Sequence, residues 1–393
     1  MRVRAALLST ASLPVLASAL ACGVADTPPA PARANSTPAA AAATAAAPLP
    51  AAELTALPGR LLFLAEGDAD VEIATTLPSG QDRRTLLRGP RGHEGPTLFP
   101  GPAAPGGAHL VVVTVEGEGD AHRERLEIRP LTDAGLGEPI WRSDAAPQVR
   151  NPAWSPDGRA LAFEASFDSF RDLYRVDLAP AGEPVLLRLT NHPAGNYEPA
   201  FSPDGRELAF TSSRDGNAEV YVMPAAGGPP RRLTDAPLDD WGPVWAPDGR
   251  TLAFLSNRGG VDRIYLCAAD GGDLRPVRAG APQRPPAGAV GPTDDEAEPA
   301  FAPEGRALAF SVRSGPGRAA LRLADLTSGA VVDLTPGTAS DRSPVWSPTG
   351  EHLVFTSDRD GDPELYVIRR DGSALARVSE RPGADWLVRW PPR

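Results

Sequence analysis

The chain has 393 residues, 41% hydrophobic and 23% charged, with 39 Gly and 45 Pro to supply turns. Its formal charge is −11, and all 39 Lys-plus-Arg positions are arginine. The acidic balance excludes a nucleic-acid partner held through phosphates, and the missing lysine excludes Schiff-base chemistry and a P-loop.

The chain opens with Arg2 and Arg4, then an apolar run over 5–20 that Pro14 and hydroxyl residues interrupt. Such a run is too short to span a bilayer and reads as a signal peptide over 1–21. The stretch LASALAC resembles a bacterial lipobox, which would make Cys22 a lipidation site; ordinary secretory cleavage near ALACGVA is the alternative. Ala19 and Leu20 depart from the preferred lipobox residues. Gly23 lacks the aspartate linked to inner-membrane retention, so the expectation is an outer-membrane lipoprotein facing the periplasm. Residues 22–58 are nearly all Ala, Pro and Thr, a composition that reads as a disordered tether. Cys267, in IYLCAAD, is the one cysteine outside this leader; it excludes an internal disulfide and reads as a buried, inert thiol.

From Gly59 the chain repeats itself. An aromatic, a Pro-Asp-Gly-like turn and an apolar strand recur as WSPDGRALAF from Trp154, FSPDGRELAF from Phe201, WAPDGRTLAF from Trp245, FAPEGRALAF from Phe301 and WSPTGEHLVF from Trp346. Degenerate copies begin near Gly59 and Leu98. The aromatic steps from Phe99 are 55, 47, 44, 56 and 45 residues, and a last step of 44 reaches Trp390. Four strand-like segments per 40–50 residues predict the blades of an all-β propeller over 59–393. Seven blades are expected; the count is six if 98–141 elaborates its neighbour. The first unit lacks an inner strand. DWLVRW, from Asp385 to Trp390, matches DWGPVW, from Asp240 to Trp245, and is expected to supply it, closing the ring.

These motifs resemble the WD40-like PD40 repeats of TolB-type propellers and, more loosely, the propellers of prolyl oligopeptidases, over about 85% of the chain. The resemblance implies the fold strongly and the function weakly. TolB proteins carry an α/β domain ahead of the propeller, where this chain has the tether; the departure leaves membership of a Tol–Pal system open. No GxSxG elbow accompanies the oligopeptidase likeness. Propeller lyases hold a metal through several histidines; here only His93 and His192 fall in loops entering inner strands, so no metal, cofactor or catalytic residue is expected. The run from Asp358 to Glu364 resembles a calcium loop but lacks EF-hand spacing and aligns with a hairpin.

The segments just before the inner strands hold the candidate binding face. Asn196, Asp240, Glu296, Asp341 and Asp385 occupy one repeat position, with His93 in the second unit, and Tyr197, Trp241, Arg342 and Trp386 follow four of them. Equivalent positions converge on one end of the channel. The acids either cap turns or form a ring for a cation, a basic peptide or a sugar. A Pro-, Gly- and acid-rich insertion over 278–298 joins the same end. The resulting expectation is a monomeric, envelope-anchored protein-binding or scaffolding propeller with an unnamed envelope partner. The alternatives are a ligand- or carbohydrate-binding sensor and, further off, a hydrolase or lyase.

Overall fold

The computed structural model describes residues 46–390, apart from 93–94, 97, 118–121, 133–134, 169, 180–181, 279–294 and 381–382. Cys22, His93 and most of the 278–298 insertion therefore lie outside the described residues. The strands form seven sheets, antiparallel but for one parallel pair at a rim, arranged as a seven-bladed propeller.

Blade 4 shows why the repeat folds this way. Its strands are Asn196–Phe201, Glu207–Ser212, Glu219–Pro224 and Arg231–Arg232, paired in that order from the channel outward. Ser202 Oγ donates to the Asp204 carboxylate (2.7 Å) and accepts from the Glu207 amide (3.0 Å). Gly205, at φ +72°, donates to Ser202 O (2.8 Å). An L side chain there would be strained, so the turn selects glycine. Phe210 on the second strand is fully buried, and Phe63, Phe163, Phe254, Phe310 and Phe355 hold the same position elsewhere. Each contributes about 2–3 kcal/mol of apolar burial.

The core lies between blades. Ala209, Val220 and Val222 of blade 4 pack against Trp245, Phe254 and Tyr265 of blade 5, and comparable clusters fill the other joints. Trp245 donates its indole N–H to Ala200 O (3.1 Å), and Trp346 likewise to Ala300 O (2.9 Å), so the repeat aromatic fastens its blade to the one before. Blade 2 departs from the expected spacing. Ala103 pairs with Leu110 where Trp154 pairs with Leu161, so the aromatic slot falls on Ala103, and Phe99 lies four residues earlier, opposite Val113.

The closing strand is where DWLVRW predicts it. Ala384–Arg389 pairs antiparallel with Leu61–Glu66 and becomes the innermost strand of blade 1. The tether ends earlier than expected. Ala47–Pro48 adds a parallel fifth strand to the outer edge of blade 7, and a short helix, Ala51–Ala56, follows. Leu49 and Leu54 are buried in the blade 7 cluster. Two leucines thus dock a segment whose composition reads as unstructured. Pro58 O accepts the indole N–H of Trp390 (2.8 Å).

Candidate binding face at the channel mouth

Asn196, Asp240 and Glu296 open their inner strands, Asp341 precedes one and Asp385 is second in another, so the repeat sets them at the same end of the channel. Their side chains are not offered to a partner. They are 0%, 0%, 1%, 1% and 4% exposed, respectively. The fold explains why. In blades 4, 5 and 7 the second strand ends in serine, and the arginine two residues later folds back over its own blade. Arg258 donates to Asp240 (2.6 Å) and lies over the Tyr265 ring at 4.6 Å; Arg359 donates to Asp341 (2.7 Å) and lies over Tyr366 at 4.7 Å. Ser357 Oγ donates to the same Asp341 oxygen (2.6 Å). At Asp240 and Asp341 the buried acid is the anchor of an arginine–tyrosine stack. Burial still pushes Asp240 up to about 6, outweighing the neighbouring Ser256 and Arg258.

Blade 4 carries an amide in this place for a physical reason. Asn196 Oδ1 accepts from Arg214 (2.9 Å), while Nδ2 donates to Asp172 of blade 3 (2.9 Å). Asp172 also takes Arg188 (2.6 Å) and the Thr190 hydroxyl (2.8 Å), so a second carboxylate at 196 would face one already there. Glu296 plays another part. It accepts the Ile264 amide of blade 5 (2.9 Å) and lies 3.4 Å from Arg263. Elsewhere a Ser or Thr hydroxyl just past the blade's own outer strand caps the equivalent amide, as Thr234 does for Val220 (2.9 Å).

The neighbours divide. Tyr197 is half-buried beneath Arg171, 4.6 Å from its ring centroid, with its hydroxyl on Ala194 O (3.2 Å). Trp241 is buried, and its indole nitrogen has no partner. Trp386 donates to Glu66 (3.1 Å). Arg342 is half-buried, with Nε unpartnered.

Two important carboxylates escape sequence reasoning. The residue before the repeat proline adopts φ of 54° at Glu198, 56° at Glu298, 54° at Ser343 and 63° at Gly242, where the register slips in a bulge. Glu198 accepts the Gly242 amide (2.8 Å) and the Thr211 hydroxyl (2.9 Å); Glu298 accepts the Ser343 amide (2.7 Å) and hydroxyl (2.9 Å). Each thus staples its blade to the next. Glu164 does the same for the Glu198 amide (2.9 Å). Burial and the Glu164 charge push Glu198 up to about 7. The signal in the sequence is the dipeptide Glu-Pro, which appears in only two of these inner strands.

Four acids on loops at this end keep solvent access, each paired with an arginine. Side-chain exposure is 63% at Asp168, 41% at Asp215, 87% at Asp235 and 48% at Asp360. Among the described residues no group of three His, Cys, Asp or Glu side chains could hold a metal, and no helix is long and apolar enough to cross a membrane.

A family model described as the TolB beta propeller domain matches residues 152–292 and 289–392. The chain belongs to the TolB beta-propeller family. A Tol-Pal system protein TolB from Syntrophus aciditrophicus is 47% identical over 36 residues, 9% of this chain and 8% of the relative. An uncharacterized Agrobacterium fabrum protein is 33% identical over 63 residues, 16% of this chain. The aligned part is only 22% of that relative's length. Among solved structures, TolB from Acinetobacter baumannii superposes with a TM-score of 0.52 at 20% identity, covering 85% of this chain and 82% of its own. A periplasmic gluconolactonase from Pseudomonas aeruginosa gives 0.60 at 17% identity, covering 84% and 98%. Likeness at such identity speaks for the fold alone.

Proposed function

We propose that this TolB-family propeller is a protein-binding or scaffolding module of a bacterial envelope, anchored through a lipid on Cys22, with no catalytic role. Its partner presents a basic segment to the end of the channel where the inner strands begin. The observation that carries this reading is the separation of charge there. The recurring inner-strand acids are buried in the fold, while Asp168, Asp215, Asp235 and Asp360 stand exposed on loops from blades 3, 4 and 7. Exposed ion pairs hold their partners weakly, so these charges stay available to steer a cationic surface. The test is affinity capture from envelope extracts with wild type and with an Asp215→Asn, Asp360→Asn pair. Wild type should recover a partner whose yield falls with salt, and the pair should recover several-fold less while melting near the wild-type temperature. Equal recovery by both proteins overturns the assignment of this face.

A further inference from the structure

A sheet edge is a row of free backbone donors and acceptors, and six blades blunt theirs. Blade 4 ends in Arg231–Arg232 after two prolines, and blade 5 in Arg275–Pro276. The outer strand of blade 2 is Trp141–Arg142, and that of blade 6 is Val331–Asp333, where Asp333 takes Arg322 (2.6 Å). Blade 1's Arg84–Gly92 carries charge and Pro90, and blade 7 is covered by Ala47–Pro48. Short, charged, proline-bearing or covered edges are how proteins avoid unwanted strand pairing.

Blade 3 guards its outer strand least: Pro184 precedes it and Arg188 ends it, but three apolar residues in a row lie between them. Val185–Arg188 is four residues, all exposed, and Val185, Leu186 and Leu187 stand 53%, 38% and 39% open to solvent. The ladder fixes which backbone groups are free. Leu189 N–H donates to Leu173 O (2.8 Å), which makes Arg188 opposite Tyr174 a non-hydrogen-bonded pair. By alternation Leu187 and Val185 bond inward, and the N–H and C=O of Leu186 and Arg188 point away from the blade. Glu183, exposed just ahead of Val185, adds a negative charge at that end. At the other end Arg188 is already engaged by Asp168 and Asp172.

We infer that the rim of blade 3 is a second docking site, which accepts an extended, apolar segment of a partner protein as a fifth strand. That segment carries a basic residue to meet Glu183. The fold already shows this chemistry once, where Ala47–Pro48 completes blade 7. The acidic face reaches this strand only through Asp168, which pairs with Arg188; the charges tested there, Asp215 and Asp360, belong to blades 4 and 7, so either surface can fail without the other.

The test uses the full chain and a fluorescent synthetic peptide of alternating Val and Thr with a single Lys. Anisotropy should report saturable binding, and hydrogen exchange should show new protection at the Leu186 and Arg188 amides. Leu186→Pro removes one outward donor without touching an inward bond, and Leu187→Lys adds a gatekeeping charge; each should weaken binding at least tenfold. Glu183→Gln should weaken it a few-fold, in a salt-sensitive way. Circular dichroism melting verifies that each variant folds. Equal affinity in all variants, no saturable binding to wild type, or protection gained at another blade overturns the proposal. So does concentration-dependent dimerisation that Leu186→Pro abolishes, because a second copy would then be the occupant.

Discussion

Glu198 uses one carboxylate oxygen on Gly242 and Thr211 and leaves the other, Oε1, buried without a partner. Beside it stands Glu164, so ionising Glu198 sets two negative charges together in a place with little water. Its pKa rises from 4.5 to about 7 on folding. The folded state therefore holds this proton more tightly than the unfolded chain. The stabilisation is complete below pH 4.5 and is lost as pH climbs through 7, with a ceiling of roughly 3 kcal/mol. Glu198→Gln keeps the acceptor and cannot ionise. Its denaturant midpoint should vary less between pH 5 and pH 8 than that of wild type, and should exceed wild type at pH 8. A variant whose pH profile matches wild type would show that Glu198 is not the group responsible.

At the scale of the element, the segment 46–58 works as a strap. Glu53 accepts from Arg369 (2.8 Å) and faces His352 Nε2 (2.8 Å), and these partners, Arg369 first, hold its carboxyl down at about 2. Glu53→Ala should release the strap and expose the blade 7 edge. Limited proteolysis should then cut near Leu54 at least several-fold faster, with a modest fall in melting temperature; an unchanged cleavage rate would mean that the leucines hold the strap alone. The strap was hidden from sequence reasoning because Leu49 and Leu54 are too few to make a period, and their binding surface is assembled from residues three hundred positions away. The blades were legible for the opposite reason. Aromatic, turn and apolar triplet lie within ten residues of one another, so local chemistry suffices to recognise them. The mouth was half legible: the repeat picks out the acids, but the arginines that cover Asp240 and Asp341 lie eighteen residues on, in a hairpin that only the fold brings back to them. The bulge carboxylates Glu198 and Glu298 depend on backbone angles that residue types do not spell out.

For the whole molecule, closure rests on the last residues. Trp390 is buried in the blade 7 cluster and tied to Pro58 O, and Val388 is fully buried beside it. Ending the chain at Gly383 removes the innermost strand of blade 1 and bares the Leu61–Glu66 edge. Unfolding should become less cooperative and the melting temperature should drop markedly, while Trp390→Ala in the full chain should cost about 3–5 kcal/mol. A truncated chain that melts like wild type would show that the ring does not need its clasp. That clasp also sets a timetable. Glu66 and Ala384 share a sheet but are 318 positions apart in the chain. At about 5–20 residues per second of synthesis, Leu61–Glu66 waits roughly 15–60 s for the strand that covers it. It is the most apolar strand of the first blade, LLFLAE, and during that interval it is an open template for any passing strand. The growing polypeptide is therefore most vulnerable to mispairing at its oldest blade, and the hazard ends only when its youngest residues arrive.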